Sequence, residues 1–322
     1  MRAAVFEEYG PPEVVRVTEV PAPKPTSREL LVRVHASTVN RTDTHYRSAR
    51  PAMMRLFSGL AKPRRTILGC EFAGRVEATG SAVVSFSVGD RVFGWCGWSY
   101  GAHAEYLVIP ADGCVARIPP DLSFEEAAPG TEGAHYANTH IGAARIRSGH
   151  DVLVYGASGA IGTAAVQLLK SRDVRVTAVC ASSQVDLVKR LGADRVIDYL
   201  TQDYTQDEQR YDALLDACGH LSYLQSRHLL KPGGRYTSTG PGPYWSNFLL
   251  LPVQPLLREK VVFSFPKIDQ STVQQLAQLM ETGQFRPVVD RPYRLEQIVD
   301  AHRYVDTGRK TGNVVITITP EA

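Results

Sequence analysis

The sequence predicts an α/β protein with two domains, one mostly β and one built on a doubly wound parallel sheet. Three observations carry that expectation. The chain has 322 residues, about twice the usual length of one domain. Its first third is made of short β-type runs broken by Gly and Pro, and from about residue 150 strand and helix patterns alternate. Apolar residues make up 43% and charged residues 21%, which is ordinary for a folded globular chain and leaves no tract biased toward disorder.

In residues 1–122 the runs AAVFEEYG, LLVRVHAS, FAGRVEATG, DRVFGW and AEYLVIP sit between turn residues, the spacing of an irregular, largely antiparallel barrel. One segment stands apart: residues 41–65 hold seven basic residues (Arg41, Arg47, Arg50, Arg55, Lys62, Arg64, Arg65) against Asp43 alone, with Met53, Met54, Leu56, Phe57 and Leu60 interleaved. A lid over the active site, a helix lying on lipid, and a solvated loop with one packed apolar side all fit this pattern.

Beyond residue 150, DVLVYG leads into AIGTAAVQLLKSR, RVTAVCA into QVDLVKRLG, DRVIDY and DALLDACG into LQSRHLLKPGG, and RYTSTG into NFLLLPVQPLLREK, before VVFSF. Near-continuous apolar strands joined by helical crossovers predict a parallel sheet covered on both faces. The tail adds helices at TVQQLAQLMETG and LEQIVDAHRYVDTG, then a strand NVVITI expected to rejoin the first domain. The expected boundaries are therefore 1–122 with 268–322 for the β-rich domain and 123–267 for the parallel one.

Several function classes recede on composition. A net charge of +3 is too small to imply nucleic-acid binding by itself. Five cysteines, an odd number with no C-x-x-C pair, fit reduced thiols in the cytoplasm better than zinc or redox chemistry. No window approaches the roughly 20 apolar residues of a membrane span, and the N-terminus lacks an export pattern.

The strongest motif is G-A-S-G-A-I-G, residues 156–162, which follows a strand and opens a helix. Gly156 permits a tight turn, Gly159 lets a pyrophosphate approach the backbone, and Gly162 allows close packing of helix on strand. The N–H groups from Gly156, Ala157, Ser158, Gly159, Ala160, Ile161 and Gly162 would then face a dinucleotide, with the helix dipole favouring its charge. About twenty residues on, NAD-binding chains offer Asp or Glu to the ribose; here stand Cys180, Ala181, Ser182 and Ser183. With no carboxylate to repel a 2′-phosphate and two hydroxyls to bind it, NADPH is expected over NADH. Paired serines are also ordinary helix caps.

With these segments in view, the chain resembles the zinc-free quinone oxidoreductase branch of the medium-chain dehydrogenase/reductase superfamily. STVNRTD, LGCEFAGRVEATG, VGDRVFG, YGAHAEYLVIPAD, LSFEEAA, VLVYGASGAIGTAAVQLLK, LVKRLGADRVIDY, LLKPGGRY and TGRKTGNVVITI carry the likeness, in the family's order over nearly the whole chain. The resemblance implies a GroES-like catalytic domain and a Rossmann cofactor domain with the active site in the cleft between them. It further implies hydride transfer from NADPH to a quinone or to the C=C bond of an enone or enoyl thioester, by a homodimer joined along the cofactor-domain sheet edge. Zinc-dependent relatives would carry Cys at Asn40, His at Cys70 and a third ligand near Gly130, so no metal is expected. A relic site from Cys70, Glu71 and Glu132 is the minor alternative.

The resemblance also nominates residues. Asn40 belongs beside the nicotinamide ribose and Tyr46 at the substrate, where its phenol is a candidate acid; a turn-stabilising Asn and a packed Tyr are the plain alternatives, and water is a competing proton source. Tyr199 matches a position reaching toward the adenosine phosphate. Gly240, Phe263 and Phe265 belong to the nicotinamide end of the sheet, and Lys310 and Asn313 to the returning segment. One departure stands out: PGTEGAHYANTH, residues 129–140, puts Glu132 and His135 where the family has small or apolar residues. Either is thus a candidate acid or base, Glu132 being the candidate catalytic residue, with a helix-start capping role as its plain alternative. Three functions stay open: reduction of a quinone or activated alkene, alcohol–aldehyde interconversion, and a non-catalytic NADPH-binding role with a partner or RNA on the basic segment.

Overall fold

Alternating apolar residues and β-branched side chains in the first third of the chain produce the predicted strands, which a computed structural model describes over residues 1–240, 260–262 and 268–320. A two-stranded ribbon pairs β1 (Arg2–Val5) with β2 (Arg16–Glu19). The long β3 (Glu29–Val39) is followed by helix α1 (Arg41–Ser48), the short helix α2 (Arg55–Ser58), and strands β4 (Glu71–Thr79), β5 (Arg91–Trp95), β6 (Tyr106–Pro110) and β7 (Val115–Arg117). Antiparallel pairing runs from β3 to β4 and β6, and from β5 to β4 and β7. Leu30, Val32, Val34, Phe72, Val76 and Val92, all fully buried, fill the core beneath them. Each such side chain removed from water contributes about 1.5–3 kcal/mol.

Residues 123–132 continue this unit. Ser123 caps α3 (Phe124–Ala127) by accepting the Glu126 N–H at 3.2 Å, and Glu126 reaches back to the Ser123 N–H at 2.9 Å, a reciprocal capping box. Phe124 lies flat on His35, ring centroids 4.3 Å apart. By contacts the chain divides into Met1–Glu132 with Ile268–Ala322, and Gly133–Lys267.

The second unit holds α4 (Glu132–Ala143) beyond its first residue, then β8 (Asp151–Tyr155), α5 (Ala160–Lys170), β9 (Arg175–Cys180), α6 (Val185–Arg190), β10 (Arg195–Asp198), β11 (Tyr211–Asp216), α7 (Tyr223–Ser226), β12 (Leu230–Ser238) and β13 (Lys260–Val262). Every pairing is parallel, in the order β10-β9-β8-β11-β12-β13. This is the Rossmann order, which reverses direction beside the first strand. The helix expected over LQSRHLLKPGG is cut to one turn. The chain passes through a 3-10 turn at Arg227–Leu229 into β12 at Leu230, whose pairing with Tyr211 draws the backbone into the sheet, with a bulge between its pairs to Tyr211 and Ala213. Phe263, Phe265 and NFLLLPVQPLLRE lie outside the described residues.

The chain then returns to the first unit through α8 (Gln270–Glu281), β14 (Val289–Arg294), α9 (Ile298–Asp306) and β15 (Asn313–Thr317). β15 pairs antiparallel with β3 and parallel with β14, so the C-terminal strand completes the seven-stranded sheet begun by the N-terminal third.

Candidate functional site

In the second unit the three glycines of the bend have three different surroundings. Gly156 takes φ +75°, and a Cβ there would sit 2.8 Å from Cys218 Sγ. At Gly162 a Cβ would lie 2.2 Å from Gly156 O, so only a missing side chain lets α5 start this close to the turn. Above Gly159 the space is open: a Cβ would meet nothing nearer than Gly156 O at 3.7 Å. Gly156 and Ala157 donate to Val179 O, tying the bend to β9. Gly159 is the N-cap of α5 and offers no side chain to the helix, so the first-turn N–H groups lack intrahelical acceptors and face open space, where a phosphate would satisfy them.

Neighbouring strand ends complete this edge. Asp216, wholly buried at the end of β11, accepts N–H bonds from Gly219 at 2.8 Å and Leu221 at 3.0 Å and the Ser238 hydroxyl at 2.8 Å. It folds the loop after β11 so that Gly219 and Gly240 meet backbone to backbone: a Cβ on Gly240 would fall 2.9 Å from Gly219 Cα. Burial raises the Asp216 pKa against these donors. Ser182 donates to Asp198 Oδ2 at 2.5 Å, so a carboxylate from the end of β10 stands beside the serine pair although the end of β9 itself carries none. Ser183 is exposed, and Tyr199 is half exposed just past β10.

In the first unit a second constellation forms from side chains. Asn40 precedes α1, its N–H bound to Asp43 Oδ2 at 2.8 Å. Its amide donates to Glu132 Oε2 at 2.7 Å, to Glu71 Oε2 at 2.8 Å and to Thr38 Oγ1 at 3.0 Å. Glu71, fully buried on β4, also accepts Thr38 Oγ1 and the Thr131 N–H and hydroxyl, and the Glu132 N–H at 2.5 Å. Glu132 accepts Cys70 Sγ at 3.2 Å and pairs through Oε1 with Thr42 Oγ1. Burial, then the negative charges nearby, raises both glutamates, Glu71 to about 7; burial also lifts Asp43 to about 7. Two charges this close in an apolar setting cannot both persist. Five donors converge on Glu71 and three, from Asn40, Thr42 and Cys70, on Glu132, so the two carboxyls share one charge and one proton between them. Lys310, half-buried, is pushed down to about 8 by burial while Glu132 and Glu71 pull it back up, and it donates to Gly312 O at 2.5 Å.

Tyr46 is 4% exposed; its hydroxyl donates to Ser58 O and accepts the Arg65 N–H, each at 3.2 Å. Both hydrogen-bonding capacities of that phenol are thus taken by the backbone of residues 58–65. Tyr100 packs on Tyr46 with centroids 4.9 Å apart. It takes φ +55°, and its buried hydroxyl has no hydrogen-bond partner among the described residues. Burial raises its pKa, followed by the charges of Cys70, Asp43 and Glu132. A non-glycine residue at positive φ holding an unpaired buried phenol is strain of the kind found at working sites. Asn313, 3% exposed, donates to Val288 O at 3.1 Å and leaves Oδ1 unpaired among the described residues. His135 is buried on α4 in the second unit, against Tyr136. The family resemblance had brought Asn40, Cys70, Glu71 and Glu132 forward from the sequence; Thr38, Thr42 and Thr131 carry no pattern that marks them.

A parallel sheet with a glycine bend at its strand-order reversal defines the class, a dinucleotide-dependent enzyme. Residues 26–120 match the alcohol dehydrogenase GroES-like domain and residues 191–316 the zinc-binding dehydrogenase family. The chain is 31% identical to the chloroplastic quinone oxidoreductase of Triphysaria versicolor, covering 98% of each. It is 28% identical to the 2-methylene-furan-3-one reductase of Solanum lycopersicum over 99% of this chain and 80% of that one. The quinone oxidoreductase structure from Coxiella burnetii superposes with a TM-score of 0.87 at 26% identity, covering 99% of each chain. The chain belongs to the medium-chain dehydrogenase/reductase superfamily, among its quinone oxidoreductases, and is an NAD(P)H-dependent oxidoreductase. Among the described residues no helix is long and apolar enough to cross a membrane.

Proposed function

We propose that this chain reduces a quinone with NADPH, without a bound metal, and that the proton required comes from Glu132. The observation that carries the reading is the bend at residues 156–162, closed beneath Gly162 and open above Gly159, on the edge where the sheet order reverses. When bound, NADPH supplies the hydride; everything else falls to this chain's side chains. Tyr100, with an unpaired phenol held protonated by burial, donates to the acceptor's carbonyl oxygen. Glu132, protonated while Glu71 carries the charge, delivers a proton to the reduced oxygen and regains one through the partly exposed Thr42 hydroxyl. Asn40 holds both glutamates in register.

The donor set does not suit zinc. Glu71 is saturated by donors, Cys70 points its S–H at Glu132, and the Asn40 amide donates to both carboxylates. Zinc would need about three deprotonated ligands turned the other way.

A second reading concerns the acceptor: the tomato relative is named as a reductase of a methylene-furanone, and an enone presents Tyr100 with the same carbonyl oxygen. Asp198 beside Ser182 likewise favours NADH as the second choice of cofactor, since its charge would face a 2′-phosphate. We further read the enzyme as a cytoplasmic homodimer joined along β13, whose outer edge pairs with no strand among the described residues. The test follows nicotinamide absorbance with quinones, enones, enoyl thioesters and alcohols, before and after chelation. Chelator-resistant quinone turnover with NADPH is expected; turnover of alcohols alone, lost on chelation, would overturn the reading.

A further inference from the structure

Residues 50–65 carry five cations and no carboxylate: Arg50, Arg55, Lys62, Arg64 and Arg65. All five are exposed, and none is ion-paired among the described residues. Arg47, just before them, is buried and bound to Asp306 at 2.7 Å, whereas the Arg55 guanidinium lies over the Tyr9 ring, 5.1 Å from the centroid. Between the cations stand four exposed apolar side chains: Met53 is 47% exposed, Leu56 64%, Phe57 67% and Leu60 70%.

This is not a loose loop. Tyr9 bonds Ser58 Oγ at 2.8 Å and donates to Gly59 O at 2.7 Å. The Arg64 N–H donates to Ser58 O at 2.8 Å, closing the segment on itself. Tyr46 adds bonds to Ser58 O and the Arg65 N–H from beneath. Gly59 takes φ +125° at the bend, where a Cβ would strike Lys62 O at 2.0 Å. Buried polar anchors therefore hold the base, and the apolar tips are held outward at the cost of remaining in water.

We propose that residues 50–65 seat the first unit on an anionic lipid surface. Leu56, Phe57, Leu60 and Met53 enter the boundary between headgroups and acyl chains, and the five cations engage the phosphates around them. The charge selects an anionic partner. The apolar tips select lipid over an acidic protein: Leu56, Phe57 and Leu60 are each more than 60% exposed among the cations, and a fluid layer takes up such side chains where a keyed partner would need matching pockets. The proposal is independent of which acceptor the enzyme reduces.

Flotation of the full-length protein with phosphatidylcholine vesicles, made with and without phosphatidylglycerol, tests it. Low-salt flotation with the anionic vesicles only is expected, weakening as salt screens the phosphates. L56S/F57S and R64E/R65E should each cut partitioning by about tenfold or more, with thermal unfolding unchanged because these side chains lie outside the core. No flotation at low salt overturns the proposal. So does flotation that survives L56S/F57S, and so does equal capture of wild type and L56S/F57S on polyglutamate beads with vesicles ignored, which would make the partner an acidic protein.

Discussion

The glycine bend and the carboxylate cluster differ in what they are made of. The bend in the second unit works through backbone: Gly156, Gly159 and Gly162 lie within seven consecutive residues, and what matters is the side chains they lack. The cluster in the first unit works through side chains gathered from β3, α1, β4 and the start of α4, with Asn40 and Glu132 ninety-two residues apart. A backbone site is robust to its surroundings but generic, and it fits any dinucleotide. A side-chain site is specific, because each partner sets the protonation of the next. In this protein the first would hold the reductant and the second would decide what is reduced.

That contrast can be broken most sharply at Glu132. Glu132→Gln keeps the shape but cannot cycle a proton, so kcat should fall by about 10²–10⁴-fold while calorimetric NADPH affinity stays unchanged. The pH dependence supplies a second readout. Burial and the Asp43 charge raise the Glu132 pKa, so the acid form, and with it the rate, persists at low pH and is lost as pH rises through that raised value. Glu132→Gln should flatten that limb; a wild-type rate that climbs with pH would remove Glu132 from the acid role.

Gly159→Val probes the other half. The position tolerates a Cβ within the fold and its backbone is extended, so unfolding should hold while NADPH affinity drops by about a hundredfold, or roughly 2.8 kcal/mol. Unchanged affinity would mean the phosphates do not cross this bend.

Tyr100→Phe discriminates function from packing within the cluster. Its hydroxyl satisfies no bond in the fold, so stability should change by less than about 0.5 kcal/mol. Loss of the donor to the acceptor oxygen should still lower kcat/KM by about tenfold to a hundredfold. Full activity would return Tyr100 to a packing role.

The smallest effect is expected at Asp198. Asp198→Asn keeps an acceptor for Ser182 and removes the charge, so the ratio of NADPH to NADH turnover should rise about threefold to tenfold. A ratio that does not move would show that the carboxylate lies outside the ribose environment.

Much of this was legible in the chain itself. The strands at FAGRVEATG and DRVFGW, the crossover pattern after residue 150 and the bend at Gly156 follow from periodicity and glycine placement, which act over a few neighbouring residues. Where local spacing competed with sheet pairing, the pairing won: LQSRHLLKPGG has helical spacing, yet the α-helix ends at Ser226 and the backbone is a strand from Leu230, paired with Tyr211. Ser182 was read as free of carboxylates because Asp198 lies sixteen residues on and reaches it only through the parallel register of β9 with β10.

Local order, the two-unit architecture and the glycine bend were thus determined by sequence alone, because hydrogen bonds and apolar periodicity of near neighbours dictate them. Tertiary structure decided the rest. Only chain packing sets Glu132 against Asn40, commits the Tyr46 phenol to Ser58 and Arg65, and leaves the Tyr100 phenol buried without a partner. The physical reason is that protonation and donor geometry depend on which distant charges share a site out of water.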